Sequence, residues 1–405
     1  MRQVAANDAH TGMVTEDGDL FMCGSGYRGR LGLGDMEDRT TPTLVRRALF
    51  DNDAVLMVAC GGFHTVVATV GGGVYTFGLG EKGQLGHGEL SEELAPRRVP
   101  VAGPGERVVM VAAGNYFTVA LSEAGHVYTC GWNLYGQLGH GDQKRQVAFV
   151  QVDPMRFNGE KVEFVAAGSN HTVAITAGGR LYTWGSGLCG KLGHGVFDID
   201  DRLFPTLVKA EVFGGRRVAM AACAANHTLV VTEDGSMWAC GHDNEGQLGL
   251  NRTFARMAFE RLQMGMEEAH RQKFVAVAAS TRHSLAVTEQ GTVWTWGSGR
   301  DGGLGHGNTR ECLVPTRLTV SPLDTLRVGR FHLLPQEDAI AFAMSQNRRL
   351  GASSRARALN TDMLKMIQDN SHNLHNLDFA KHRSLITLLG GRVLLRPRVC
   401  HRCSQ

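Results

Sequence analysis

Three sets of residues in this 405-residue sequence have types and spacings that could do chemistry: glycine-rich strings, regularly placed histidines and nine cysteines. GSGYRG (24–29), GLGEKG (78–83), GSGLCG (185–190) and GSGRDG (297–302) each satisfy G-x-G-x-x-G, the string that cradles a pyrophosphate in dinucleotide folds. Such a loop must open a helix whose N-terminus faces the phosphate, and here every copy runs into another glycine turn. The glycines are therefore expected to supply positive φ and close packing. His87, His140, His194 and His306, in LGHG or closely similar strings, suggest metal ligands. A zinc ion needs its ligands within about 2.1 Å, and positions that recur once per repeat do not converge on one ion. The cysteines are odd in number and follow an N-terminus, MRQVAANDAH, without an apolar signal segment, so reduced thiols are expected. Cys400 and Cys403 form a lone C-x-x-C with no second pair to complete a zinc site. No catalytic residue, metal or cofactor is assigned.

The elements that would position these residues come from a repeat. Leu31, Leu85, Leu138, Leu192, Leu248 and Leu304 are separated by 54, 53, 54, 56 and 56 residues, and His10, His64, Phe117, His171, His227 and His283 by the same steps. Two landmarks moving together mean that a whole unit is duplicated. Within a unit, VAAGSNHTVAIT (165–176) and RLYTWGSG (180–187) alternate as strands around a turn at Gly178-Gly179, a hairpin. Pro42, Pro96, Pro205 and Pro315 accompany another short apolar run, which suits an outer strand where a missing N–H is tolerated. Four short strands at this period form the blade of a radial propeller. No 3.6-residue period occurs within the units, which excludes a helical solenoid. In phase, Cys23, Cys130 and Cys240 fill the slot of Phe77, Trp184 and Trp296, and Cys60 and Cys223 fill that of Ala113, Ala167 and Ala279, so these are core side chains. The landmark histidines, each before Thr or Ser in four units, are expected to bond to backbone within their own blade.

The string G-x-G-x-x-G-Q-L-G-H-G with A-A-G-x-x-H-T resembles the repeats of the regulator of chromosome condensation family, over roughly residues 1–350. That resemblance implies a seven-bladed propeller. VGRFHLL (328–334), AIAFAMS (339–345) and RRLG (348–351) restore the landmark at His332 and are expected to form a degenerate seventh blade without a GQLG loop. The expected fold is all-β, seven blades of four antiparallel strands over 1–350, then a C-terminal α-helical extension over 351–405. Because the first landmark is already at His10, closure is expected to be imperfect.

The resemblance also implies a function. The founding member is a guanine-nucleotide exchange factor for a Ran-type small GTPase and holds chromatin through a basic N-terminal arm; acids before the landmark histidine matter there. Here only Asp8 is an acid at that place, while Glu81, Asp243, Glu245 and Asp301 stand in the glycine loops as candidate partner contacts. Neither a wedge-like insertion nor a basic N-terminal arm is evident. The family's photoreceptor branch places tryptophan in G-W-R-H-T, whereas this chain reads GGFHT (61–65), SNHT (169–172) and TRHS (281–284), so photoreception is not expected. The expected function is a non-catalytic scaffold or regulatory subunit that binds protein partners. Exchange activity on a Ran-like GTPase, or a chromatin-associated role, is the alternative.

Partner surfaces are expected where the repeat fails. One is 251–272, where the outer proline is missing and Met257, Met264 and Met266 accompany arginines. The other is the tail, which spaces Leu359, Met363, Ile367, Leu374 and Leu377 at helical intervals and ends in a basic stretch with Arg392, Arg396 and Arg398. Residues 351–405 hold nine Lys+Arg against three Asp+Glu, net +6, and the rest hold 33 against 36, net −3. Nucleic-acid contact is therefore expected only through the tail. No stretch approaches the roughly 18 apolar residues of a membrane span. An intracellular location is expected, cytoplasmic or nuclear, with association with cytoskeleton or cilium open.

Overall fold

A computed structural model describes residues 2–318 apart from Asp8, 196–198 and 264–271. Its strands form six antiparallel sheets of four, each in chain order. The first sheet holds Gln3–Ala6, His10–Val14, Leu20–Gly24 and Arg39–Val45, and the second Val55–Cys60, His64–Thr69, Val74–Gly78 and Glu93–Val99. The third holds Val108–Ala113, Phe117–Ser122, Val127–Gly131 and Gln146–Gln151, and the fourth Val162–Ala167, His171–Thr176, Leu181–Gly185 and Arg202–Leu207. The fifth holds Val218–Cys223, His227–Thr232, Met237–Gly241 and Arg256–Arg261, and the sixth Phe274–Ala279, His283–Thr288, Val293–Gly297 and Cys312–Arg317.

The expectation of seven blades and a helical extension is corrected. The described residues form six blades and contain no α-helix, only short 3-10 turns. The seventh repeat lacks the residues that join blades below: Leu333 stands where the others carry Thr or Ser after the landmark, and no GQLG loop follows. Residues 328–351 and the tail themselves lie outside the described residues.

The second strand of each blade explains the architecture. HTVVAT, FTVALS, HTVAIT, HTLVVT and HSLAVT are buried along their whole length, and in the second to fifth blades this strand lies between a blade on either side. Core clusters accordingly cross blade boundaries, as where Tyr75 and Phe77 pack with Leu20, Met22 and Leu31. Burying each leucine of the repeated loop contributes about 1.5–3 kcal/mol. Where the third strand meets the outer one, the register shifts at the terminal glycine, as between Thr76 and Gly78. Gly78 has φ 107°, and a Cβ there would lie 2.7 Å from the carbonyl oxygen of Phe63. Only glycine fits this bulge.

Adjacent blades are tied at one backbone carbonyl. The hydroxyl after each landmark donates to the carbonyl one residue before the preceding loop's leucine: Thr65 to Arg30, Thr118 to Gln84, Thr172 to Gln137, Thr228 to Lys191 and Ser284 to Gln247, at 2.6–2.8 Å. The same carbonyl takes a second donor from the Cys/Trp slot, the indole N–H of Trp184 or Trp296 at 2.9 Å, or the thiol of Cys130 or Cys240. With its one proton so directed, each hydroxyl except that of Thr172, whose preceding landmark is Phe117, must accept from the landmark histidine of the preceding blade. His10 reaches Thr65, His64 reaches Thr118, His171 reaches Thr228 and His227 reaches Ser284, all through Nε2 at 2.8–2.9 Å. The landmark histidines thus bridge blades through side chains, not backbone within one blade as expected. His283 Nε2 has no such partner.

The LGHG histidines form a second latch inside the blade. His87, His140, His194 and His306 each hydrogen-bond through Nε2, at 2.9–3.0 Å, to a third-strand threonine, respectively Thr76, Thr129, Thr183 and Thr295. Each of these hydroxyls donates to the carbonyl of the loop leucine. The two blades without the histidine also lack the threonine: Leu33 accompanies Met22 and Leu250 accompanies Ala239. The polar pair is replaced as a pair by an apolar one, since either half alone would leave a buried group unsatisfied.

Two outcomes follow. Burial lowers the pKa of His64 and His227 to about 3 and of His283 to about 4, and that of His171 well below its usual value. The unfolded chain binds protons below pH 6.5 where the folded chain does not, so stability is lost as pH falls from about 6.5 toward 4, by up to about 1.4 kcal/mol per pH unit per histidine. Chemical denaturation across pH 5–8 measures the slope. In a double-mutant cycle, Thr76→Ala and His87→Leu are each expected to cost about 1–2 kcal/mol, and together less than their sum.

Candidate protein-docking face

The strand order divides the connections between two faces. Loops joining first to second and third to outer strands open on one face, the loop face. Hairpin turns and blade-to-blade connections open on the other. On the turn face, charges pair locally: Arg47 with Asp19, Arg180 with Glu160, Arg216 with Asp234 and Arg217 with Glu233, at 2.6–3.4 Å. The loop face has local ion pairs too, such as Arg28 with Glu92 and Arg39 with Asp35, but exposes more large apolar side chains, namely Tyr27, Met36, Leu90, Leu134, Leu188, Ile199 and Phe254 against Leu49, Val70 and Met155 on the turn face. Leu188 is 60% exposed and Phe254 71%. At its centre the first-strand ends of all six blades, including Asn7, Asn115, Ser169 and Thr281, line an axial cavity of about 160 Å³.

The glycine strings form the walls of this face. Gly26, Gly80, Gly187 and Gly299 press against a carbonyl returning from the same loop, so the loops fold onto themselves and open no helix. Each LGHG histidine is committed to its threonine, and among the described residues no group of three His, Cys, Asp or Glu could hold a metal ion. Burial raises the thiol pKa of Cys60 to about 12 and pushes Cys130, Cys223 and Cys240 well up, so these thiols are poor nucleophiles.

The acids singled out by sequence are dispersed. Glu81 is exposed on the second blade and pairs with Lys82 at 3.5 Å. Glu245 on the fifth pairs with Arg282 at 3.6 Å. Asp301 is exposed on the sixth, at φ 57°. Asp243 is fully buried: Oδ1 accepts the Leu248 N–H at 2.8 Å, Oδ2 has no partner, and burial raises its carboxyl pKa to about 7. Met257 is half-buried against Gly190 of the neighbouring blade. Asp8, Met264, Met266, Arg392, Arg396 and Arg398 lie outside the described residues.

Sequence reasoning overlooked the aromatic residues of this face. Phe63 and Tyr116 immediately precede the landmarks of the second and third units, and Trp132 and Tyr135 stand in the third loop. Their signal was available as aromatics at in-phase positions, where other units carry Asn170, Asn226 and Arg282.

Phased four-stranded blades joined by neutral latches define a repeat-built propeller. The chain belongs to the RCC1-like domain family, whose pattern matches residues 1–258, and regulator of chromosome condensation (RCC1) repeats match 234–287 and 290–328. It is 34% identical over 78% of its length to the ultraviolet-B receptor UVR8 of Arabidopsis thaliana, spanning 69% of that protein. It is 33% identical over 78% to the E3 ubiquitin-protein ligase HERC2 of Mus musculus, of which it spans 6%. A secretion-regulating guanine nucleotide exchange factor of Mus musculus is 35% identical over 71% of the chain, which spans 61% of that relative. Human WBSCR16 shares the fold, with a TM-score of 0.70 at 24% identity over 78% of this chain and 81% of that one. No helix of the described residues is long and apolar enough to cross a membrane.

The third blade supplies a comparison for Asp243. Asn133 fills the same slot, accepting from Leu138 and donating Nδ2–H to the Asp142 carbonyl at 2.9 Å. Asp243→Asn is expected to stabilise the protein by about 1 kcal/mol at pH 8. Because the raised carboxyl pKa makes folded Asp243 a cost that grows as pH rises from about 4 to 7, the gain should fade on acidification. Thermal denaturation of both proteins across that range checks it.

Proposed function

We propose that this protein is a non-catalytic interaction disc that holds a protein partner against its loop face. The observation that carries the reading is the set of exposed apolar side chains on the loop face, Tyr27, Leu134, Leu188 and Phe254 among them, which outnumber Leu49, Val70 and Met155 on the turn face. Large apolar side chains exposed on several neighbouring loops of one face favour an interaction site there. The family includes an exchange factor and regulators, and their roles suit the same geometry. Exchange activity is the weaker reading for this chain, because Glu81 and Glu245 are already neutralised by Lys82 and Arg282.

Affinity capture from cells tests the proposal. The Leu134→Asp/Leu188→Asp variant is expected to lose the partners of the unmodified protein, while Met155→Asp, on the turn face, keeps them. Retention by the first variant, or loss only by the second, overturns the reading. Acceleration of nucleotide release from a small GTPase would replace it with the exchange-factor reading.

A further inference from the structure

The loop face carries a continuous run of rings over the second and third blades. Phe63 stacks on Tyr116 with centroids 4.9 Å apart and planes at 23°. Tyr116 meets Trp132 edge-on at 5.8 Å and 87°, and Trp132 meets Tyr135 at 5.8 Å and 72°. Arg30 closes the inner end, bonding to the Gly62 carbonyl with its guanidinium 5.3 Å from the Phe63 ring. All four rings are half-buried.

The hydroxyls of Tyr116 and Tyr135 and the indole N–H of Trp132 make no hydrogen bond among the described residues. By contrast Tyr75 and Tyr128 donate to carboxylates, and Trp184 and Trp296 to carbonyls. These half-buried rings present a continuous aromatic surface with unbonded donors along it. That arrangement suits a polyproline II chain, whose carbonyls are all unpaired and whose flat rings recur with a turn of ~9 Å.

Charge narrows the partner further. Glu81, beside the run, is paired with Lys82 at 3.5 Å. Lys144 and Arg145 are exposed and carry no ion pair among the described residues. Arg145 Nη1 reaches the Glu81 carbonyl at 3.5 Å, and the Gln143 side chain bonds to the Leu134 carbonyl, which places this segment against the Trp132 loop. Asp142 of the same segment is bonded to Asn133 and carries no ion pair among the described residues either, so segment 142–145 has a net charge of +1, and its exposed end at Lys144 and Arg145 complements a carboxylate. Single-stranded nucleic acid also stacks on aromatic runs, but residues 1–350 carry net −3, which disfavours a polyanion.

We propose that the aromatic run of Phe63, Tyr116, Trp132 and Tyr135 binds a proline-rich segment of a partner protein in the polyproline II conformation, with an acidic side chain of that segment held by Lys144 and Arg145. The proposal rests on the loop face being the docking face and names the segment docked there.

Calorimetric titration of the full chain with four probes tests it: a proline-rich peptide with glutamates, its Pro→Ala and Glu→Lys counterparts, and an oligothymidylate. The acidic proline-rich peptide is expected to bind at least about tenfold tighter than the others, a difference of ~1.4 kcal/mol. Trp132→Ala should abolish binding. The exposed-site variant Lys144→Glu/Arg145→Glu, which leaves the aromatic run intact, should shift preference to the lysine peptide. Equal binding of the alanine peptide, binding of the oligonucleotide alone, or no binding overturns the proposal. If no peptide binds while Leu134→Asp/Leu188→Asp still abolishes partner capture, this inference fails and the docking-face reading stands.

Discussion

Everything in this fold depends on a carbonyl that accepts two hydrogen bonds from the next blade. In each of five junctions a hydroxyl donates to it, and in four the indole or thiol of the following third strand does so as well. Both donors come from one blade and the acceptor from the blade before, so the angle between neighbours is set by bond geometry as well as by side-chain volume. Apolar burial supplies most of the stabilisation but is non-directional. The carbonyl provides direction where the packing does not.

The histidines complete this arrangement and are inert because of it. Their Nε2–H is fixed by a hydroxyl whose own proton is already directed, and burial keeps the rings neutral. A residue type that elsewhere performs acid–base or metal chemistry here joins blades. The paired replacements Met22/Leu33 and Ala239/Leu250 show the same logic within the sequence: a polar latch is kept whole or replaced whole.

Much of this was legible in the sequence because the repeat is phased. Period, hairpin, outer strand and the core character of Cys130 and Cys240 all followed from comparing one unit with another. Blade number did not: the segments 328–334, 339–345 and 348–351 restore a landmark at His332 and strand-like runs, but Leu333 lacks the hydroxyl that a junction uses and no GQLG loop follows. The landmark histidines were identified as structural but assigned to the wrong acceptor, since their partners lie 54–57 residues away and periodicity cannot show which neighbour a side chain meets. Asp243 was expected as a surface charge because its loop is polar, yet its slot is the buried one that Asn133 fills. The aromatic run as a whole is not legible from the repeat, because Phe63 and Tyr116 occupy a variable position where other units carry Asn170, Asn226 and Arg282, and only the fold brings them beside Trp132.

A disc whose two sides differ this much has a consequence for architecture. On the docking-face reading, partners gather on the side with more exposed apolar side chains. Such a part would work in an assembly as a cap and not as a spacer: it would end a stack where a two-sided disc would extend it. Six similar blades would also offer equivalent binding positions around the rim of that face, but the rings are concentrated on the second and third. The cap therefore has a fixed rotational setting, and whatever docks there is held at one azimuth relative to the rest of the disc.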